Sequence, residues 1–365
     1  MDILQKRRST LASRLREHPA CLVPSPGTTD VHLLVSCLLK ALRRGDRDYG
    51  LGAASALIRI DPSRFWRRLV VMAFEDFGRA DLNLTADVVA AASSARWRAT
   101  VGGDWHVASF LMGKLLDTPR DRFLDDLYTT GIAIATTAYE LPQSRSPVHL
   151  TIDKLVASAV QMVRGCERPI PGRLWRSTIP ANCDTAIRQA RHAKLIDDDL
   201  VEVCLQARRT SQSLLPVLLP HWLGAVRDSG DDRSIVTWGV PPQTNIEGLP
   251  SWAFDGYTRA GRIALWELYR RNSQVRAIPP PELPGPAKID CLQALLFEVE
   301  GALATEFLSH PLAENLRQRS WGCWSHLPVA ALHDAGLIMQ AAIPELNALR
   351  QEVWASSTGS PGALT

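Results

Sequence analysis

The chain has 365 residues, of which 46% are hydrophobic and 22% are charged, and its formal net charge is +3. This composition is typical of a folded globular protein and excludes an intrinsically disordered chain. The small net charge does not by itself require a polyanionic partner. At roughly 150 residues per domain, the length predicts two or three domains.

The cysteines and the apolar runs predict a cytoplasmic protein. Seven cysteines are scattered without a CxxC pair, which argues against a disulfide framework or a zinc ribbon and favours a reducing compartment. The first residues reach charge at Lys6, without the apolar run of a secretion signal. The most apolar later run, 213–226, contains Pro216 and Pro220 and is shorter than the roughly 20 residues that cross a bilayer. We therefore expect neither export nor a membrane span.

The first 28 residues are predicted to form a basic N-terminal arm with one short helix that ends near Arg16. Between Met1 and Gly50, nine lysines and arginines face five acids, which is a local excess of +4. Lys6, Arg7 and Arg8 are candidates for contact with nucleic acid or a partner. A solvated surface without a ligand is the alternative interpretation.

A second helix is predicted from about Thr29, with Asp30 as its N-cap and Gly45 at its end. Apolar residues follow Asp30 at helical spacing. Arg43 and Arg44 lie in its last turn and join the candidate binding residues.

The clearest helix signal begins at Asp61, a good N-cap, followed by Pro62, and Gly78 is placed to end the helix. Its apolar stripe contains Phe65, Leu69 and Met72. The opposite side carries charged residues, of which three are candidate binding residues: Arg64, Arg67 and Arg68.

Further helices are predicted around 152–164, 184–205, 252–271, 292–308 and 330–354, the last interrupted at Pro344, with one strand within 233–240. The proline-rich stretch 278–286 predicts a linker. The predicted fold is mainly α and multi-helical. Its predicted segments are the arm 1–28, a helical domain 29–141, a central helical region 142–277 with a long loop 228–250, and a C-terminal helical region 287–365.

Sequence motifs for chemistry are missing. No GxxxxGK[ST] loop indicates nucleotide binding, no HExxH indicates a metalloprotease, and no GxSxG indicates a serine hydrolase. We therefore expect no cofactor, no metal and no catalytic residue, although an enzyme of an unrecognised class stays open.

A cluster of aromatic and basic residues spans 251–271. Its candidate binding residues are Arg259, Arg262, Arg270 and Arg271. Aromatic faces beside cations suit the stacking of bases and the pairing of phosphates. A packed aromatic core with a solvated basic edge is the alternative.

The run RRLVVMAFEDFGRAD, together with less specific flanking helices in 31–128, resembles the lid-to-collar region of the replication-associated recombination ATPases of the RarA/MgsA family. The matching residues are Arg67, Arg68, Leu69, Val70, Glu75, Asp76, Gly78, Ala80 and Asp81. The resemblance implies a helical collar that joins subunits. It does not extend to the ATPase module of that family, so ATP hydrolysis is not carried over.

Three hypotheses follow. The first is a non-catalytic interaction protein of DNA replication or recombination, or of a mobile element that manipulates host DNA processes, which forms a homo-oligomer or binds a host protein. The second is a direct DNA-binding or RNA-binding protein. The third is an enzyme sited in 228–276; a deep pocket that holds Asp255, Arg259 and Arg262 together would favour it, and an exposed, flat arrangement would disfavour it.

Overall fold

The computed structural model describes residues 2–19, 26–136, 147–164, 183–229, 234–237, 239–241 and 243–358. In this part of the chain the first helices are α1 (Ile3–Leu15), α2 (Val31–Arg44), α3 (Arg47–Ile60), α4 (Pro62–Met72), α5 (Leu82–Ala92), α6 (Ala95–Thr100), α7 (Gly103–Leu116), α8 (Phe123–Thr136) and α9 (Pro147–Arg164). The later helices are α10 (Cys183–His192), α11 (Asp198–Ser211), α12 (Leu215–Ser229), α13 (Arg259–Arg271), α14 (Ser273–Arg276), α15 (Gly285–Leu296), α16 (Pro311–Ser325), α17 (Val329–Ala341) and α18 (Ile343–Thr358). The strands are β1 (Ser234–Thr237), β2 (Asn245–Ile246), β3 (Leu249–Pro250) and β4 (Glu306–Ser309). The predicted mainly α fold is confirmed.

The chain divides into two compact units, each assembled from separate stretches of sequence. The first unit comprises Met1–Leu22, Asp61–Thr237 and Glu306–Ser320, and the second comprises Val23–Ile60, Trp238–Thr305 and Trp321–Thr365. This division differs from the predicted segments, because 29–141 falls into both units and the proline-rich stretch 278–286 lies inside the second. Contacts between residues that are distant in the sequence define the two units. The composition of a short segment does not predict such contacts.

Helix ends follow the predicted caps closely in 26–78. The Asp30 carboxylate accepts hydrogen bonds from the amides of His32 and Leu33, and Gly45 ends α2 in a left-handed conformation. The Asp61 carboxylate accepts from the Arg64 amide at 2.9 Å. Local capping chemistry is sufficient here because each cap satisfies amides only a few residues away.

Three predicted helices are wrong in extent. The segment 252–271 becomes α-helical only at Arg259, where α13 begins. The segment 184–205 is broken after His192, and a second helix, α11, begins at Asp198. The segment 292–308 stops being α-helical after Leu296 and ends in the strand β4. Strand β4 pairs antiparallel with β1 in the first unit, with Ile235 opposite Leu308. The partner strand lies far away in sequence, so the local pattern of 292–308 does not reveal it. The predicted strand within 233–240 is confirmed by β1, and the interruption near Pro344 by the break between α17 and α18.

Both units contain a π-helical turn at the end of an α-helix. The first covers Ala73–Phe77 and follows α4, and the second covers Phe297–Gly301 and follows α15. In each turn the fourth residue is a buried carboxylate, Asp76 in the first unit and Glu300 in the second. A π turn inserts one extra residue into the helical register, a feature that often occurs at functional positions.

An arginine from another segment binds each of these carboxylates. In the first unit, Arg122 donates to Asp76 at 3.1 Å with one amino group and to Asp125 at 2.5 Å with the other. In the second unit, Arg350 of α18 binds both oxygens of Glu300, at 2.9 and 2.7 Å. The π turns are therefore anchored to the rest of their units by buried ion pairs.

Candidate interaction site

Helix α13 presents an exposed stripe of four side chains, which we call the α13 stripe: Arg259, Ile263, Trp266 and Arg270. These residues recur every three or four positions and so lie on one face of the helix. Ile263 is 41% exposed and Trp266 is 40% exposed. Arg259 and Arg270 are also exposed and lie at the two ends of the stripe. The stripe combines an apolar centre with basic ends.

The opposite face of α13 is packed into the core of the second unit. Ala264, Leu265 and Leu268 are all fully buried. They belong to a cluster of apolar side chains drawn from α13 to α18, which also contains Leu292 and Leu346. Since one face supplies this core, the exposure of Ile263 and Trp266 is not explained by packing within the unit.

The turn before α13 is organised by Asp255. One oxygen of its carboxylate accepts from the amides of Tyr257 at 2.9 Å and Thr258 at 3.1 Å. The Thr258 hydroxyl accepts from the Gly261 amide at 3.1 Å and caps the helix. Two nested side-chain caps therefore define where α13 begins.

The second oxygen of Asp255 binds α2. The Lys40 ammonium donates to it and also to the Ser36 hydroxyl, the latter at 2.7 Å, while Ser36 donates to Asp255 at 3.1 Å. The Lys40 side chain is 1% exposed. Burial lowers the pKa of Lys40, and the neighbouring Asp255 carboxylate opposes this shift. The Lys40–Asp255 pair is thus a buried ion pair that joins α2 to the turn before α13.

Gly261 allows this turn to lie directly against the helix. A Cβ atom at Gly261 would stand 2.0 Å from the Asp255 carbonyl oxygen and 2.4 Å from that of Phe254. Both neighbours are backbone atoms and cannot move aside like a side chain. The orientation of α13, and with it the stripe, therefore depends on a glycine at this position.

The charges beside the stripe are nearly compensated. Arg262 donates to Asp290 and Gln293, each at 3.0 Å. Of the two arginines that end the helix, Arg270 pairs with Glu267 at 3.1 Å, and Arg271 pairs with Glu267 and with Glu352. Four arginines on α13 against three carboxylates leave a local charge of +1. The surface around α13 is therefore less basic than the arginines of the cluster 251–271 alone predicted.

Aromatic contacts support the centre of the stripe. The ring of Trp266 lies 5.6 Å from that of Tyr269, and its outer edge passes 3.7 Å from the position of a Cβ at Gly285. Tyr257, 60% exposed, stands edge-on to Phe297 with 6.5 Å between ring centres. The aromatic side chains are therefore partly supported on one side and open on the other.

The hypothesis of an enzyme in 228–276 is addressed by the cleft beside Asp255. Asp255 and Lys40 line a shallow cleft whose empty space is about 200 Å³ with its open mouth included, whereas ligand pockets typically hold roughly 300–1,000 Å³. Neither Arg259 nor Arg262 lines this cleft. This cleft therefore does not favour an enzyme in 228–276.

The N-terminal candidates are placed on a packed helix. Lys6 is exposed. Arg7 donates to Asp87 at 3.1 Å and to Asn83, and Arg8 donates to the Ala90 carbonyl at 2.9 Å. The expectation of a basic arm that offers all three side chains to a ligand is therefore corrected, because α1 packs against α5 and uses two of them there.

Arg43 and Arg44 are buried and require the same correction. Arg43 is 0% exposed and donates to the Gly301 carbonyl at 3.0 Å, while Arg44 donates to the Glu300 carbonyl at 2.9 Å. Both support the π turn of the second unit. Buried guanidinium groups that bind carbonyls in this way do not form a surface for phosphates.

The α4 candidates differ among themselves. Arg67 is exposed, and Arg64 pairs with Asp61 within the first turn of the helix at 3.3 Å. Arg68 is largely buried and lies 3.7 Å from Glu75. Of these three arginines, Arg67 is therefore the exposed one.

The residues of the collar-like motif have internal partners. Asp76 is fully buried on Arg122, and Glu75 lies near Arg68. Gly78 ends the π turn at φ +36°, and the Asp81 carboxylate caps α5 through the Leu84 amide at 2.8 Å. In this structure the four motif positions organise packing and helix ends within the first unit.

The binding residues predicted from the sequence did not include Ile263, Trp266, Lys40 or Gly261. A signal for the first two was present, because they share the three- and four-residue spacing of Arg259 and Arg270. No local signal identified Lys40 or Gly261, since their partners are on the Asp255 turn.

The described residues contain no group of three or more His, Cys, Asp or Glu side chains that could hold a metal ion. Within the same ranges, every helix is too short or too polar to cross a bilayer.

Comparison with known proteins adds no relative: no family model matches the chain, and no curated protein or solved structure is significantly similar to it. The resemblance to the RarA/MgsA collar stays a prediction.

Proposed function

We propose that this chain is a non-catalytic interaction protein that binds a protein partner through the α13 stripe. The observation that carries the proposal is the exposure of Ile263 and Trp266 on a helix whose other face is fully packed. Tryptophan and arginine are enriched where protein interfaces bind most strongly. The partner is a second copy of the chain or a host protein.

We further propose that the setting is DNA replication or recombination, or a mobile element that manipulates host DNA processes. This part is supported by the resemblance of 67–81 to the collar of the recombination ATPases. A helical domain that packs like this collar can occupy the binding surface of a motor protein of that family or join its assembly.

Direct binding of DNA or RNA is the less supported alternative. Affinity for nucleic acid depends on many free cations along one surface. Arg7, Arg8, Arg43 and Arg44 are engaged inside their units, and the arginines of α13 are largely compensated by nearby carboxylates. Among the candidates in the described residues, those that are exposed and form no ion pair are Lys6, Arg67 and Arg259, which are too few to form an extended basic track.

The proposal is tested by capture from a host lysate with the tagged full chain and with an Ile263→Asp variant. We expect the wild-type chain to retain a replication or recombination protein, or further copies of itself, and the variant to lose it. Arg96→Glu is the matched control, because Arg96 is an exposed arginine of the first unit, whereas α13 belongs to the second. Circular dichroism checks that both variants stay folded.

Sedimentation of the same three proteins separates self-association from capture of another protein. If the wild-type chain retains nothing and sediments as a monomer, or if Ile263→Asp retains the same proteins as the wild type, the proposal is wrong.

A further inference from the structure

The centre of the α13 stripe is shaped for an apolar side chain of a partner. Trp266 and Ile263 are adjacent on the helix face and expose about two fifths of their surfaces. Because Trp266 is already held by Tyr269 and by the start of α15, little side-chain freedom is lost when a partner covers it. A partly fixed aromatic ring in an exposed position is a typical binding hot spot.

The two ends of the stripe are cationic and well separated. Arg259 and Arg270 are eleven residues apart, which corresponds to about 16 Å along the helix axis. Among the described residues Arg259 has no hydrogen-bond or ion-pair partner. Arg270 pairs only with Glu267 on the same helix, and its side chain is 70% exposed, so that pair is weak. Both guanidinium groups can therefore donate hydrogen bonds to a carboxylate of a partner protein.

The surrounding carboxylates disfavour a polyphosphate. Glu267 and Asp290 flank the stripe on α13 and α15 and would repel a continuous row of phosphates. Two discrete carboxylates at the basic ends are repelled less than a continuous row of phosphates, although Glu267 also lies beside Arg270. The pattern of charge fits an acidic protein segment better than nucleic acid.

We infer that the α13 stripe binds an amphipathic helical segment of a partner protein, in which apolar side chains cover Trp266 and Ile263 and flanking carboxylates pair with Arg259 and Arg270. This inference rests on the proposed function and adds the chemistry of the partner. A partner helix lying along α13 would place its own carboxylates about three turns apart.

The experiment measures fluorescence anisotropy of a labelled helical peptide of about 18 residues, roughly five turns. It carries leucine and phenylalanine on one face and a glutamate near each end, about three turns apart. A second peptide has glutamine in place of both glutamates, and a third has lysine. Each is titrated with the full-length wild-type chain.

The inference predicts that the glutamate peptide binds at least about tenfold more tightly than the glutamine peptide, and that Trp266→Ala weakens its binding about tenfold or more. The double variant Arg259→Glu with Arg270→Glu should lose the glutamate peptide and bind the lysine peptide instead. Arg96→Glu should change neither affinity.

Equal affinity for the glutamate and glutamine peptides would overturn the inference, as would a double variant without reversed preference. A single-stranded DNA of about 20 nucleotides serves as the competing ligand. If the DNA binds, with an affinity that falls steeply as the salt concentration rises, and the glutamate peptide does not bind, the stripe is a nucleic-acid site instead.

The lysate capture separates the two proposals. If a partner is lost with Ile263→Asp but retained by the double arginine variant, the proposed function stands and the acidic-helix inference fails. If the double variant also loses the partner, both stand.

Discussion

The π turns of the two units bury the same kind of ion pair in different ways. In the first unit, Arg122 is shared between Asp76 and Asp125, and a second buried acid, Asp121, lies 3.7 Å from Arg79. In the second unit, Arg350 gives both of its amino groups to Glu300, and Asn347 also binds the guanidinium at 2.8 Å. One site distributes charge over several partners, and the other concentrates it in a single two-point contact.

The pKa shifts of the acids follow this difference. Burial raises the pKa of Asp121, and Arg79 opposes the shift only in part. Burial would also raise the pKa of Glu300, but Arg350 and the cations Lys40 and Arg44 reverse the effect, so that its pKa is lowered. Equal burial therefore has opposite consequences, because the neighbouring cations, three at Glu300 and one at Asp121, decide whether the charged form is favoured.

The largest effect is expected from Arg350→Met. The substitution keeps the volume of the side chain but leaves Glu300 buried without its two-point partner, which should lower the free energy of unfolding by about 3–5 kcal/mol. Urea unfolding measures the loss, and hydrogen exchange followed by mass spectrometry should place it in α15 and α18. The double variant with Glu300→Leu should recover much of the stability. A loss below about 1 kcal/mol would contradict the argument.

Arg122→Met is expected to cost less, about 2–3 kcal/mol, although its side chain is equally buried. The reason is that charge around Asp76 is shared among several groups, with further arginines nearby. Hydrogen exchange should localise the change to α8 and the end of α4. If Arg122→Met proved more damaging than Arg350→Met, the contrast between shared and concentrated contacts would be reversed.

Gly78→Ala should lower stability by about 1–2 kcal/mol, because φ at this position is +36° and a side chain is strained there. Gly301, the last residue of the other π turn, has no positive φ, and a Cβ there would meet only side-chain atoms of Phe297 and Lys40 within 3.4 Å. Gly301→Ala should therefore cost less than Gly78→Ala, as measured by urea unfolding. An equal loss for both would show that crowding, and not backbone strain, controls these turns.

The smallest expected effect is on the pH dependence of stability. The folded-state pKa of Glu300 lies below its ordinary value of 4.5, so its stabilisation is present above that pH and is lost as the pH falls through the folded pKa. The folded-state pKa of Asp121 lies above its ordinary value of 3.8, so its contribution is present below that pH and is lost as the pH rises through the folded pKa. Hydrogen exchange at several acidic pH values should show that Glu300→Gln weakens the acid sensitivity of the second unit. Asp121→Asn should change the first unit in the opposite direction. The same sign in both units would be inconsistent with the two geometries.

The sequence predicted local features well where the chemistry was local. Asp30, Asp61 and Gly45 identified helix ends because a cap bonds to amides within a few residues. The aromatic and basic character of 251–271 was also visible, and with it part of the candidate site.

The sequence did not reveal which of its arginines are free. Arg43 and Arg44 end α2 and Arg259 begins α13, yet the first two are buried against a π turn and the third is exposed. Nothing in the surrounding residues separates them, because the partners of Arg43 and Arg44 are carbonyls more than 250 residues away in the chain.

By itself, the sequence determined the helical character of this protein and the positions of many helix ends, since caps and apolar periodicity act over one or two turns. Only the tertiary structure decided that Lys40 holds the Asp255 turn, that Gly261 lies against it, and that Trp266 is left facing outward. These outcomes depend on side chains brought together from distant segments, where burial and ion pairing depend on the packed neighbours.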